Sequence, residues 1–124
     1  MTTEATLIRA IQVAATEAGA RLFRNNTGMG WTGIVRHWHD AVGEYVTVHR
    51  PRPLHAGLHV GSSDLIGWTA DGRFLAIEVK AGRTAVTDEQ QVFVDQVNAA
   101  GGRAGIARSV EDAMEILTGA RVRP

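Results

Sequence analysis

The chain of 124 residues has no cysteine and only one lysine. Without cysteine there can be no disulfide and no thiolate-held metal, so a metal would have to sit on oxygen or imidazole. No apolar run is long enough to cross a bilayer, and the start carries no secretory hydrophobic core. A cytoplasmic location without a membrane partner is therefore expected. Excess positive charge is missing too, since thirteen basic residues balance thirteen acidic ones. That balance excludes a generally basic nucleic-acid coat and confines any such surface to a local patch. Repeats and low-complexity tracts are absent. At 44% hydrophobic and 21% charged residues, the composition is that of one globular domain with a modest core, spanning residues 1–124.

What is present centres on the lone lysine. Twelve of the thirteen basic residues are arginine, and the exception is Lys80, in Ile77-Glu78-Val79-Lys80. In a strand, residues two apart share a face, so Glu78 and Lys80 project side by side. Asp64 opens the preceding apolar run of residues 65–69, and Asp71-Gly72 can turn the chain back into residues 74–80. A two-residue turn at Asp71-Gly72 would put Asp64 opposite Val79, on the wrong face. A three-residue loop with Gly72 left-handed puts Asp64 opposite Glu78 instead. Alternatively, Asp64 leaves regular strand geometry. Two carboxylates and an amine then converge, a set able to hold a hard divalent cation and set a positive charge beside a water.

A Glu-x-Lys tripeptide taken alone describes a solvated strand face. Here Leu75, Ile77 and Val79 point one way and Phe74 and Ala76 the other, so both faces look buried. Charges at the end of such a strand need a reason.

The remaining segments punctuate cleanly. Residues 3–19 read as a helix with an apolar stripe of Leu7, Ile8, Ile11, Ala14, Ala15 and Ala18, ended by Gly19. Residues 21–25 read as a short strand. Gly28, Gly30 and Gly33 suggest a mobile segment, and residues 31–60 as a whole read as a mobile hairpin or loop. Residues 34–38 and 45–49 read as two strands, and Pro51 and Pro53 as an extended loop. Thr87-Asp88-Glu89-Gln90 is a capping box opening a helix to about residue 100, with Val92, Phe93 and Val97 inward. Residues 104–108 read as a strand, and Ser109 caps a last helix with Ala113, Ile116 and Leu117 inward. This order predicts an α/β layered domain with a central mixed sheet flanked by helices.

Residues 31–60 gather Arg36, His37, His39, Arg50 and Arg52 with Trp31 and Trp38 interleaved, the combination of cations and stacking surfaces that suits nucleic acid. His37 and His39 could share a strand face and, with His49 or Asp40, hold zinc. The alternative is polar residues on an exposed hairpin.

Gly61-Ser62-Ser63-Asp64-Leu65-Ile66-Gly67, then residues 74–80, then Thr87-Asp88-Glu89-Gln90, resemble the PD-(D/E)XK nuclease superfamily. The branch most similar is the virus-type replication-repair (VRR-NUC) nuclease domain. The likeness runs from Arg24-Asn25-Asn26 to about Ser109, with Ser63 where the superfamily name has proline. It implies a restriction-endonuclease-like fold and a Mg²⁺-dependent DNA endonuclease, Mn²⁺ substituting, without a small-molecule cofactor. Asp64 and Glu78 would bind the metal, joined by the Val79 carbonyl, and Lys80 would serve the attacking water. Products would carry 5′-phosphate and 3′-hydroxyl ends. Glu4 and Gln90 each have two roles open: helix-end charge or metal ligand for Glu4, helix cap or catalytic residue for Gln90. Arg24, Asn26 and Arg83 join the candidate DNA contacts. A domain this small suits branched, flap or junction DNA in replication, repair or recombination better than a defined sequence, and a homodimer would widen its surface. The rival from another class is a non-catalytic DNA-binding or assembly module of the same fold.

Overall fold

A computed structural model describes residues 3–120. In chain order the elements are α1 (Glu4–Glu17), β1 (Arg21–Arg24), β2 (Gly28–His39), β3 (Glu44–Ala56), β4 (Leu65–Trp68), β5 (Phe74–Val79), α2 (Asp88–Ala99), β6 (Arg103–Ala107) and α3 (Val110–Thr118). Four strands form the body's sheet in the order β1-β4-β5-β6. The first three are antiparallel, and β6 runs parallel to β5 after the α2 crossover, so the sheet is mixed as the element order predicts. β2 and β3 make a separate two-stranded ribbon.

The helices form where their caps direct. The Thr3 hydroxyl accepts from the Thr6 N–H, and the Thr87 and Ser109 hydroxyls cap α2 and α3 in the same way. α1 buries Leu7, Ile8, Ile11 and Ala15, joined by Ala113 and Ile116 of α3 against Leu75, Ile77 and Val79 of β5. Ala18 of the expected stripe is exposed, because the helix ends at Glu17. The opposite sheet face is covered by α2, where Val94, Phe93 and Val97 meet Ala76, Ala104 and Ile106. Val92, expected inward, is 53% exposed, since the inward arc of α2 runs through residues 93, 94 and 97. β5 is therefore sandwiched, and every residue from Leu75 to Lys80 is buried.

The β4–β5 turn decides the register. Leu65 pairs with Ile77 and Trp68 with Phe74, so Asp64 aligns with Glu78. Thr69 N–H donates to the Arg73 carbonyl, leaving three residues in the loop, and Gly72 sits at φ 86°. That left-handed position is what makes the longer loop possible without steric cost.

The ribbon departs from expectation. The glycines taken to mark mobility lie inside a paired strand of twelve residues, and the prolines taken to enforce a loop lie within its thirteen-residue partner. In a two-stranded ribbon each strand has one free edge, so proline can sit in it without breaking a ladder bond. Gly28 pairs with Ala56 and His39 with Glu44, interrupted by a register shift between Thr32 and Ile34 where Arg50 takes φ 52°.

Candidate active site

The sheet register brings the first two carboxylates together. Glu78 lies on the central strand β5, and Asp64 sits in the bend entering β4, directly across from it. Three contacts hold Asp64 there. Its carbonyl accepts from Asn25 N–H at 2.8 Å, and its Oδ2 accepts from Val79 N–H at 2.9 Å. The preceding loop is pinned to the first turn of α2, where a Cβ on Gly61 would lie 2.6 Å from that of Glu89. Gly61 also takes φ 86°, so a side chain there would be both strained and blocked.

Lys80 lies two residues beyond Glu78 and its Nζ is 3.9 Å from Glu78 Oε2. Glu78 is only 4% and Lys80 8% exposed. That separation makes a loose ion pair rather than a tight hydrogen bond. Burial pushes the Glu78 carboxyl well above its usual range, to about 8, and a hydrogen bond and charge from Asp64 add to the rise. Lys80 opposes it, and Glu4 adds a small repulsion from the start of α1. Two carboxylates against one ammonium leave a surplus negative charge in a poorly solvated place.

These residues fit a hard divalent cation. The donors are oxygens, and a cation between them would offset the unfavourable charge from Asp64 that helps raise Glu78. Ser63, next to Asp64, is fully buried with an Oγ that has no hydrogen-bond partner, a further sign of polar atoms gathered without internal satisfaction.

Other expected residues lie apart from this pair. Among the described residues, no group of three His, Cys, Asp or Glu side chains is placed to hold a metal ion. Glu4 is exposed and reaches Glu78 only through charge, so it does not complete such a set. His37 and His39 share a ribbon face, but His37 Nδ1 faces Glu44 at 3.5 Å. Asp40 Oδ1 accepts from Val42 N–H and Gly43 N–H and caps the hairpin turn. His49 pairs with Ile34 on the opposite face, so among the described residues no third ligand joins His37 and His39. Gln90 acts as the helix cap: its Oε1 accepts from Thr87 N–H at 3.0 Å. Arg24 and Asn26 lie exposed just before the ribbon, Arg36, His37, His39, Arg50 and Arg52 along it, and Arg83 in the exposed loop after β5.

Asn25 was missed as a site residue. Its Nδ2 donates to Ser62 Oγ at 2.7 Å and to the Ser63 carbonyl at 2.9 Å, and its Oδ1 accepts from Leu58 N–H at 3.1 Å. One buried amide thus ties the end of β1 to the loop that delivers Asp64. A signal existed in its place beside Arg24 and Asn26, where a short strand ends in an amide.

A family model for the VRR-NUC domain matches residues 48–111, which is 64 of the 124 residues. The matched stretch contains Asp64, Glu78, Lys80 and Gln90, and leaves α1, β1 and β2 outside it. A comparison with curated proteins gives no match.

Proposed function

Since this chain belongs to the VRR-NUC domain family, a nuclease-type family, we propose that it is a metal-dependent DNA endonuclease hydrolysing phosphodiester bonds. The observation that carries this reading is Asp64 aligned with a buried Glu78 whose carboxyl is pushed up by that neighbour, with Lys80 beside them. Asp64 and Glu78 would hold Mg²⁺, or Mn²⁺ in its stead, with the Val79 carbonyl as a further hard oxygen. When bound, that cation supplies Lewis acidity to the phosphate and an acidified water.

The chain's own groups do the rest. Val79 N–H holds Asp64 Oδ2 and fixes the direction of that carboxylate. Lys80, held beside Glu78 by a rigid strand, orients the attacking water and offsets charge that builds on the phosphate oxygens. Its ammonium is compact, with three rotatable donors, whereas a guanidinium is a larger planar fork. The ribbon supplies phosphate contacts through Arg36 and Arg52 and stacking surfaces through Trp38 and Tyr45.

The body offers little surface for reading a base sequence, so substrate shape, such as a branch, flap or junction, is the selecting feature. The test is cleavage of linear, flap and four-way DNA with and without Mg²⁺. Mg²⁺-dependent cutting that favours branched DNA is expected. DNA binding with no cutting of any substrate would replace this reading with the non-catalytic module.

A further inference from the structure

The chain leaves β5 through a short turn with an arginine at its tip. Lys80 N–H donates to the Ala107 carbonyl of β6 at 3.0 Å, and the turn begins at the next residue. Thr84 N–H donates to the Ala81 carbonyl at 3.3 Å, and the Thr84 hydroxyl donates to the same carbonyl at 2.9 Å. Gly82 takes φ 58°, a left-handed conformation that a side chain would strain. Arg83 follows it and is exposed.

Arg108 grips this turn from the end of β6. Its Nη1 donates to the Gly82 carbonyl at 2.9 Å and its Nη2 to the Thr84 carbonyl at 2.8 Å, one on each side of Arg83. The Arg108 N–H donates to Asp112 Oδ2 at 2.9 Å, which ties Arg108 itself to the first turn of α3. Behind the turn, a cleft of about 430 Å³ separates Ala81 and Gly82 from Thr6, Leu7 and Val110. The turn is thus not packed down on the body there, and a Cβ on Gly82 would meet nothing within 4 Å. A guanidinium suits the grip, because its planar fork fixes two acceptors at once, whereas an ammonium is a compact point charge.

We propose that Arg108 is a positioning residue that holds Arg83 ready to bind a DNA phosphate next to the one at the carboxylates. Arg83 lies three residues beyond Lys80, so their Cα atoms are no more than about 11 Å apart, and the turn shortens that path. A strand with its scissile phosphate at Asp64 and Glu78 brings a flanking phosphate within reach of the Arg83 side chain. A free loop would have to be ordered as DNA binds. Holding the two carbonyls that flank Arg83 removes that backbone cost beforehand. Arg108 acts through the turn and not on the DNA. Giving the phosphate to DNA rests on the nuclease reading.

DNA affinity in chelator, measured over a range of salt, tests this without cutting. Arg83→Ala and Arg108→Ala should each weaken binding a few-fold at low salt and lower the slope of log affinity against log salt. For Arg83→Ala the slope should fall by roughly 0.9 on duplex DNA. The double variant should match Arg83→Ala alone, since Arg108 then has nothing left to position. Arg108→Lys keeps the charge without the fork and should recover only part of the loss. Additive losses in the double variant overturn the inference, as does a parental slope in Arg83→Ala or a parent with no DNA affinity. Full recovery by Arg108→Lys makes Arg108 a phosphate contact in its own right and overturns it too. A lower melting temperature in Arg108→Ala with a parental slope makes the grip a structural tether only, which also overturns it. If Arg108→Ala fails to fold, Arg108→Lys runs the same cycle against Arg83→Ala. A parent that binds DNA and never cuts it ends the nuclease reading and leaves the coupling of Arg108 to Arg83 standing. Additive losses in a parent that cuts end this inference alone.

Discussion

The four-stranded body and the two-stranded ribbon are built from the same chemistry to opposite ends. In the body, strands of four to six residues lie between helices, and β5 keeps even a glutamate and a lysine from water. In the ribbon, strands of twelve and thirteen residues leave nearly every side chain exposed. Charge is expensive in the first place and cheap in the second. The body therefore concentrates strong electrostatics at one point, with Glu78 pushed up to about 8, while the ribbon spreads weak, screened charges over a long surface. If this contrast is real, substitutions at the two places should differ in size and in their response to salt and pH.

The largest effect is expected at the paired carboxylates. On the proposed reading, Asp64→Ala or Glu78→Gln removes a metal ligand, and several kcal/mol of transition-state stabilisation correspond to roughly a thousandfold or more in rate. Far-ultraviolet circular dichroism should stay native, because neither change adds bulk or charge to the buried strand and Asp64→Ala gives up only the one bond from Val79 N–H. Wild-type cleavage by folded Asp64→Ala protein would remove the site from its place.

Next comes Lys80→Arg. Charge is kept, so DNA and metal affinity should persist, while a displacement of about 1 Å at the reacting centre can cost roughly a hundredfold. Single-turnover cleavage at saturating Mg²⁺ measures it. A variant as fast as the parent would reduce Lys80 to a charge facing phosphate.

Much of the body was legible because its signals are local. The Gly72 loop, the Thr87 and Ser109 caps and the apolar alternation of β5 each lie within a few residues of what they determine. That same loop decided that Asp64 faces Glu78 rather than Val79. The ribbon was only half legible. Glycines 28, 30 and 33 and prolines 51 and 53 normally punctuate strands, and only the free edges of a two-stranded ribbon let them stand inside one. Asn25 stood in the sequence beside Arg24 and Asn26, but its role was not legible there. Its partners lie more than thirty residues on, so its role exists only once the fold has brought Leu58, Ser62 and Ser63 to it. Gln90 had two readings from sequence, and the structure uses its side chain in the cap.

A smaller effect concerns stability and pH without divalent metal. Glu78 ordinarily titrates near 4.5 and is pushed to about 8 in the fold. Between those values the folded chain keeps a proton that the unfolded chain has released. Its stabilisation is thus complete below about pH 4.5, declines as pH rises, and is gone above about pH 8, with a slope of at most ~1.4 kcal/mol per unit. Thermal melts in chelator across this window should show the decline, and Glu78→Gln should flatten it. No ribbon substitution should alter that slope. An unchanged decline in Glu78→Gln would mean that another group sets it.

The smallest effect belongs to the ribbon arginines. Arg36 and Arg52 are exposed, and each has water as its competing partner, so neither holds much folding energy. Arg36→Ala or Arg52→Ala should leave the melting temperature and the saturated cleavage rate nearly unchanged. What each should lose is one phosphate contact. Releasing one fewer counterion lowers the slope of log affinity against log salt by roughly 0.9 on duplex DNA, and by about 0.7 on a single strand. DNA binding should therefore weaken a few-fold at low salt and converge with the parent as salt rises. Titrations at several salt concentrations separate this from damage at the carboxylates, which changes rate without changing the salt slope. A parental slope in the Arg36→Ala, Arg52→Ala double variant would place the DNA elsewhere on the molecule, with Arg24 and Arg83 the next residues to substitute.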